Sequence, residues 1–236
     1  SFFIASAVVV ASYNISKSWT KSHPSHQTLS VTGLGTRDFT SDLIVWRASY
    51  IRNAPTLAEA NRQIKSDNDL VKKFLIKHGV NENEISFTTV QVNRNYRTLY
   101  NTQGNVSGTE FDGFGLSQMV VVESKNPVTV ERMSSEVSGL IEQGVEFTAQ
   151  EPDYYYTKLK DLKIELLKQA TEDAYQRAET ISANAKSSVG SLKNASMGIF
   201  QITGQNSNED YSWGGSFNTK AKYKTASITV KLEFDL

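Results

Sequence analysis

Along residues 155–188, apolar side chains recur every third or fourth position: Leu159, Leu162, Leu166, Ala170, Ala174, Ala178, Ile181, Ala185 and Val189. That period marks one face of an α-helix, and about 30 residues make a rod about 45 Å long. The stripe is leucine-rich at one end and alanine-rich at the other. Small side chains let a helix lie close against a β-layer or a second helix, so the alanine row in "KQATEDAYQRAETISANA" is read as a packing surface. Asp173 and Arg177 stand four residues apart and pair on the outer face, a spacing worth about 0.3 kcal/mol. With Glu179 they form a solvated side, since a catalytic role needs a pocket and a shifted pKa.

The remaining segments are shorter. "TLSVTGLGTRDF" alternates briefly and then turns at Gly33 and Gly35. "SDLIVWRASYIRN", 41–53, reads as a strand with Leu43 and Val45 inward. Pro55 opens a helix whose apolar side is Leu57, Ala60, Ile64, Leu70, Phe74 and Leu75, stopped by Gly79. His78 complements the C-terminal end of that helix dipole. "EISFTTVQVNRNYRTLY" alternates as one strand, with Ile85, Phe87, Thr89 and Gln91 on one side. "NTQGNVSGTEFDG" is a hairpin loop and "FGLSQMVVVES" the returning strand. Pro127 opens a second helix ending at Gly144, and "VEFTAQE" is a short strand. "SLKNASMGIFQITG" and "KYKTASITVKLEFDL" close the chain as strands, joined by a long polar loop with a buried Trp213. The order β-α-β-β-α-β-α-β-β predicts an α+β fold of mixed or antiparallel sheets with helices packed on one face. Two β-α-β-β blocks within it point to an internal duplication.

Composition narrows the function. The chain has 236 residues, enough for one large domain or two small ones. Lys plus Arg equals Asp plus Glu at 25 each, so the basic excess of a nucleic-acid binder is missing. The absence of cysteine excludes disulfides, thiolate catalysis and cysteine-based zinc sites. The segment "SFFIASAVVVASYNI" carries no charge before Lys17, slightly short of the roughly 20 residues of a membrane crossing. Residues 1–16 are expected to be an uncleaved anchor or lipid-facing segment in contact with a membrane. A signal-peptide core is an alternative, and so is a buried element of the body, because Val8, Val9 and Val10 suit a strand. Residues 17–28, polar and broken by Pro24, form a linker, and 29–236 form the folded body.

No catalytic, cofactor or metal site emerges. His23 and His26 lack a third ligand and read as linker residues. The "GLG" at 33–35 lacks a third glycine and precedes a strand, where a nucleotide loop opens a helix. No Gly-x-Ser-x-Gly is present, and no histidine lies in an ordered element suited to serve a serine as base. Asn14, Asn105 and Asn194 begin Asn-x-Ser sequences, relevant only in a eukaryotic secreted protein. The aromatics Tyr154 and Tyr155 in "DYYYTKLK", and Tyr211 and Trp213 in "DYSWGG", are candidate interface or ligand contacts; core packing is the alternative.

Several segments, taken in order, resemble the SIMPL-domain (DUF541) family. "LSVTGLGTRDFTSDLI" is similar to its opening strands, and "FLIKHGVNENEISFTTVQVNRNY" to a helix end, an acidic turn and a strand. "FDGFGLSQMVVVES" and "LIEQGVEF" are similar to later pieces, "LLKQATEDAYQRAETISANA" to its alanine-rich helix, and "ITVKLEF" to its closing strand. No single motif is specific; the series is. The polar stretch 201–222, Trp46 and Met119 depart from the pattern. The resemblance implies a bacterial envelope protein, secreted through a signal sequence or held by an N-terminal anchor. It also implies an α+β body and self-assembly, with ring-like oligomers among relatives. Family members are linked to surface antigenicity and to protection under oxidative stress, and no catalytic residues carry over. The expected function is a non-enzymatic, periplasmic cell-envelope protein whose partner is a further copy of itself, with a stress-protective role. The alternative is an envelope module that binds a small ligand or polymer through its Tyr/Trp loops; an unrecognised hydrolase is a third reading.

Overall fold

A computed structural model describes residues 27–236. The anchor expected at 1–16, and all but the end of the linker, lie outside the described residues. The fold is α+β, with two antiparallel sheets and four helices among the described residues. In chain order the strands are β1 (Thr28–Thr40), β2 (Leu43–Ala54), β3 (Ile85–Phe87), β4 (Gln91–Tyr100), β5 (Val106–Ser124), β6 (Phe147–Ala149), β7 (Asp153–Tyr155), β8 (Leu192–Met197), β9 (Gln201–Gly204) and β10 (Tyr223–Asp235). The helices are α1 (Leu57–Lys77), α2 (Pro127–Ser135), α3 (Ser138–Glu142) and α4 (Leu159–Asn184). Compactness divides the chain into two units. One holds the described residues up to Thr36, Lys163–Phe200 and Ser227–Leu236; the other holds Arg37–Leu162 and Gln201–Ala226.

In the second of these units, a six-stranded sheet runs β3-β5-β2-β6, with β4 also on β5 and β7 on β2. Strand β2 pairs with β5 from Ile44↔Ser124 to Ala54↔Phe114. Its alternate residues Ile44, Trp46, Ala48 and Tyr50 enter one core, together with Ile64 and Leu75 of α1, Met133 of α2 and Leu140 of α3. Three helices therefore share one sheet face. Trp46, unplaced in the family pattern, is a core residue stacked on Phe147 at 6.0 Å. Helix α1 starts where the Thr56 hydroxyl accepts the Glu59 N–H at 3.3 Å and stops at Gly79, whose φ of 91° suits glycine.

Three expected elements are divided; one is the strand expected over 191–204, which splits into β8 and β9. The helix expected from Pro127 to Gly144 breaks into α2 and α3 at Glu136 and Val137. Just before the break, the hydroxyls of Ser134 and Ser135 donate back to the Glu131 carbonyl at 2.9 and 3.2 Å, competing with the helix ladder. The strand expected over 84–100 splits into β3 and β4. There Thr88 Oγ1 accepts the Met119 N–H at 3.1 Å, so a side chain replaces a ladder bond.

The other unit contains β8, α4 and parts of β1 and β10. Gln27 and Leu236 are joined by a backbone hydrogen bond of 2.9 Å, as are Ser41 and Lys222, which sets β1 antiparallel to β10; β8 lies on the far side of β10. Contrary to the expected turn, β1 runs straight through Gly33 and Gly35. The glycines serve contact: a Cβ on Gly33 would lie 2.1 Å from the Ala170 carbonyl oxygen, and one on Gly35 2.2 Å from that of Leu166. Ala170, Ala174 and Ala178 are wholly buried, so strand and helix backbones touch with almost no side chain between them. Ile228, Val230, Leu232 and Phe234 of β10 complete this core. The stripe ends on Ser182, not on Ile181 and Ala185: Ser182 is buried and its hydroxyl donates to the Ala178 carbonyl at 2.9 Å, whereas Ile181 is exposed. The buried residues Leu162, Leu166, Ala170, Ala174, Ala178 and Ser182 follow one i±4 ridge of the helix, and Ile181 lies off it. The helix also starts later than expected, because Asp153–Tyr155 are held as β7 against Leu43–Val45. Of the two β-α-β-β blocks, the second is divided between sheets, with β6 in one and β8 and β10 in the other.

Candidate interaction surfaces

The four aromatics singled out in sequence fall into two classes. Tyr154 and Tyr155 sit in β7 and are partly buried. Tyr154 packs against the core, and its hydroxyl donates to Glu131 Oε1 at 2.9 Å. Burial first, and then the Glu131 carboxylate, push its phenol up to about 12. Tyr211 and Trp213 lie on the loop 205–222 and face water. Trp213 is 97% exposed, which overturns its reading as buried.

That loop is pinned from below. Gln201 Nε2 donates to the Ser212 carbonyl at 2.8 Å, and Gln201 Oε1 accepts the N–H of Ser216 at 2.8 Å. The Ile202 N–H reaches Ser216 O at 2.7 Å, and the Asn218 N–H returns to Ile202 O at 2.9 Å. Glu209 accepts from the Gly204 N–H at 3.1 Å and from the Asn218 amide. An indole is thus presented to solvent from a braced frame, which lowers the ordering cost of using it as a contact.

Charged side chains beside the loop act as braces. Asp153 meets Arg47 at 2.9 Å and Lys220 at 2.8 Å, and Thr219 donates to it at 3.2 Å. Burial works against its charge, but Lys220, Thr219 and Arg47 together hold the carboxyl below its ordinary value. Lys222 pairs with Glu131 at 3.0 Å. Lys224, only 1% exposed, donates to the Asn218 carbonyl. Burial brings its ammonium down to about 8, partly opposed by Glu209 and Asp153. Sequence reading passed over Lys224, although it occupies a position in phase with Ala226 and Ile228 on an alternating strand. His78, placed at the end of α1 as expected, bonds through Nδ1 to the Phe74 carbonyl at 2.7 Å and through Nε2 to Glu136 at 3.0 Å. Among the described residues no cluster of His, Asp or Glu has metal-binding geometry, and no helix is long and apolar enough to cross a membrane.

The aromatic surface that sequence reading missed is the β4–β5 hairpin. Tyr96 pairs with Phe111 across the ladder. Their rings meet edge to face at 5.9 Å, and Phe111 meets Phe114 at 5.2 Å. Tyr96, Tyr100, Val106 and Phe111 are all exposed. The available signal was the alternation of Tyr96, Thr98 and Tyr100, masked by reading 101–113 as loop.

A family model described as SIMPL, a protein of unknown function (DUF541), matches residues 29–234. No curated protein matches the chain at a significant level. Among solved structures, the de novo designed protein Foldit4 is 16% identical, over 46% of this chain and 93% of that one, with a TM-score of 0.22. An amidase of the hydantoinase/carbamoylase family from Burkholderia phymatum is 12% identical, over 58% of this chain and 34% of that one, with a TM-score of 0.25. Likenesses this weak carry nothing over.

Proposed function

The chain belongs to the SIMPL family, a family of unknown function, and from that premise we propose a non-enzymatic protein of the bacterial cell envelope. It works by assembling with copies of itself into a homo-oligomer, ring-like in form, in a stress-protective role. Its body lies in the periplasm, and its apolar segment 1–16 meets a membrane. One observation carries the self-association: large apolar side chains left in water on ordered strands, above all Tyr96, Tyr100, Val106 and Phe111 of the hairpin. A two-stranded ribbon is marginal alone in water, and exposed aromatics on one are typical of protein contacts. The acids support the absence of catalysis by their employment. Asp67, Asp153, Asp173 and Glu131 each brace a basic side chain or a backbone N–H. The test is mass by light scattering in mild detergent at micromolar concentration. A multiple of the monomer mass is expected, and a clean monomer refutes the reading.

The exposed Trp213 favours a second reading, a module binding a small ligand or envelope polymer, now narrowed to Tyr211 and Trp213. It expects the tryptophan emission to shift on titration with envelope polysaccharide, and Trp213→Phe to abolish the shift. An unchanged spectrum removes it.

A further inference from the structure

The sheet β1-β10-β8, in which β9 also pairs with β10, has outer edges at β1 and β8 that are finished differently. At β1, the Leu34 N–H donates to Asp173 Oδ2 at 2.8 Å, and the Thr36 N–H donates to Gln169 Oε1 at 3.1 Å. Side chains of α4 thus cap the outward backbone donors of that edge. At β8 nothing comparable exists: no described residue pairs with its outer side. The Gly198 N–H reaches Thr229 O of β10 at 2.9 Å. By the alternation of an antiparallel ladder, Ser196 then bonds inward while Ala195 and Met197 turn their N–H and C=O groups outward. Natural edges are usually guarded by proline, inward-pointing charge or a covering element. In "LKNASM" the single charge, Lys193, is held by Asp235 of the same sheet at 3.2 Å.

We propose that the β8 edge pairs with the β8 edge of a second copy, antiparallel about a twofold axis, with the adjoining apolar groove buried in the same contact. This rests on the self-association proposed above and adds a second surface to the hairpin. Beside the edge lies a groove of about 730 Å³, lined by Ile164, Leu167, Tyr175, Leu192, Leu232 and Phe234. Ile164, Leu167, Tyr175, Leu192 and Met197 are all exposed. Strand pairing alone buries too little for a stable complex; a standard contact needs about 800 Å² per partner. The groove and the exposed flank of α4 supply the remainder, because a twofold axis perpendicular to the sheet sets both helices on one face.

The charge pattern suits a second copy. The groove's rim carries Lys168 and Glu172, one of each sign, and Lys193 is already neutralised. A rim with one charge of each sign lets Lys168 of one copy face Glu172 of the other, as a self-complementary isologous contact requires. The ladder register fixes the centre. Ala195 and Met197 both lie on the helix side, since they pair with Leu232 and Val230. Matching Ala195 of one copy with Met197 of the other sets Ser196 on the axis. Facing residues there form a non-hydrogen-bonded pair, with Cα atoms about 4.5 Å apart.

Because the chain has no cysteine, Ser196→Cys gives this 236-residue chain a single thiol at that axis, at a spacing a disulfide accepts. Mild oxidation is expected to convert most of the protein to a covalent dimer, whereas Ser207→Cys on the loop 205–222 stays uncrosslinked. Ala195→Pro removes one outward N–H and leaves the bonds to β10 intact. It should lower the light-scattering mass at least twofold with an unchanged circular-dichroism spectrum. If the wild type is oligomeric but Ser196→Cys does not crosslink, the surface is wrong and self-association stands. A monomeric wild type overturns both. If Ser196→Cys instead couples within one chain to a second cysteine at Val9, the N-terminal segment covers the edge and the second copy does not.

Discussion

Helix α4 and helix α1 each cover a sheet, by opposite means. Under α4, glycines of β1 meet alanines of the helix, so the spacing is set by backbone atoms. Under α1, Trp46, Tyr50 and Phe147 fill the gap, with Tyr50 and Phe147 rings stacked at 6.3 Å. A contact of small residues is close and rigid, with nothing that can move aside. A core of large side chains has rotamers that can adjust, and it also has margins where polar groups fit. The buried Asp67 lies at such a margin, gripped by Arg52 through two bonds of 2.5 and 2.7 Å, while the same guanidinium donates to Gly144 O at 2.7 Å.

The largest effect should come from adding volume where there is none. Gly33→Val places its Cβ within 2.1 Å of a carbonyl oxygen and 2.4 Å of the Ala174 nitrogen. Neither can retreat without displacing the helix, so the loss should exceed about 4 kcal/mol. Leu166→Asp, burying a carboxylate against the same strand, belongs in that class. Gly104→Val meets no atom within 4 Å and should cost about 2 kcal/mol, for its positive φ alone. Thermal unfolding checks all three, and a Gly33→Val protein that melts with the wild type dissolves the contrast.

In the large-residue core the comparable fault is a broken pair. Asp67→Ala leaves the Arg52 guanidinium without its fork and should cost about 3–5 kcal/mol. Replacing both residues, Asp67→Leu with Arg52→Met, should recover most of that loss, because two partners removed together leave no unpaired charge. Urea denaturation of the single and double variants decides it. Equal losses in both would mean that the stability came from the charges themselves.

The same contrast explains what was legible in the sequence. The alanine face of α4 announced itself because helical periodicity survives in composition, and the fold class followed from the order of elements. Gly33 and Gly35 were misread as a turn, because glycine signals turning and close approach alike, and only the opposing Ala170 and Ala174 distinguish the two. The β3–β4 break was hidden because Thr88 keeps the strand alternation while its side chain takes over a backbone bond. Trp213 was read as buried by residue type, yet polar neighbours and two glycines carry it outward. Tyr154 and Tyr155 differ from Tyr211 through strand pairing to β2, which no local pattern encodes.

A smaller, pH-dependent effect tests the polar margin. Burial brings Lys224 down to about 8, below its value in the unfolded chain. Its charge therefore opposes folding below pH 8, and that penalty is relieved as the pH rises, because the unfolded chain then holds more protons. Stability should climb by on the order of 2 kcal/mol between about pH 8 and 10. Above that the rise is offset by Tyr50 and Tyr154, both raised by burial. Lys224→Met should be more stable than the wild type at pH 7 and lack the climb. Melting temperatures across that range would contradict it if both proteins responded alike.

The smallest effect belongs to the close contact again, at its rim. Asp173 accepts the Leu34 N–H at 2.8 Å and meets Arg177 at 3.0 Å. The Leu34 N–H first, and then Arg177, hold its carboxyl below the ordinary value. A lowered carboxyl contributes stability above its unfolded value and loses it as the pH falls through the folded one. Asp173→Ala should therefore cost about 1 kcal/mol at pH 7, and the gap to wild type should narrow as the pH falls below about 4. Gly33→Val should keep its full deficit over that range, because a steric fault has no proton to gain. If the Asp173→Ala deficit is instead constant with pH, the residue acts on β1 through packing alone, and the capped edge is no better guarded than the bare one at β8.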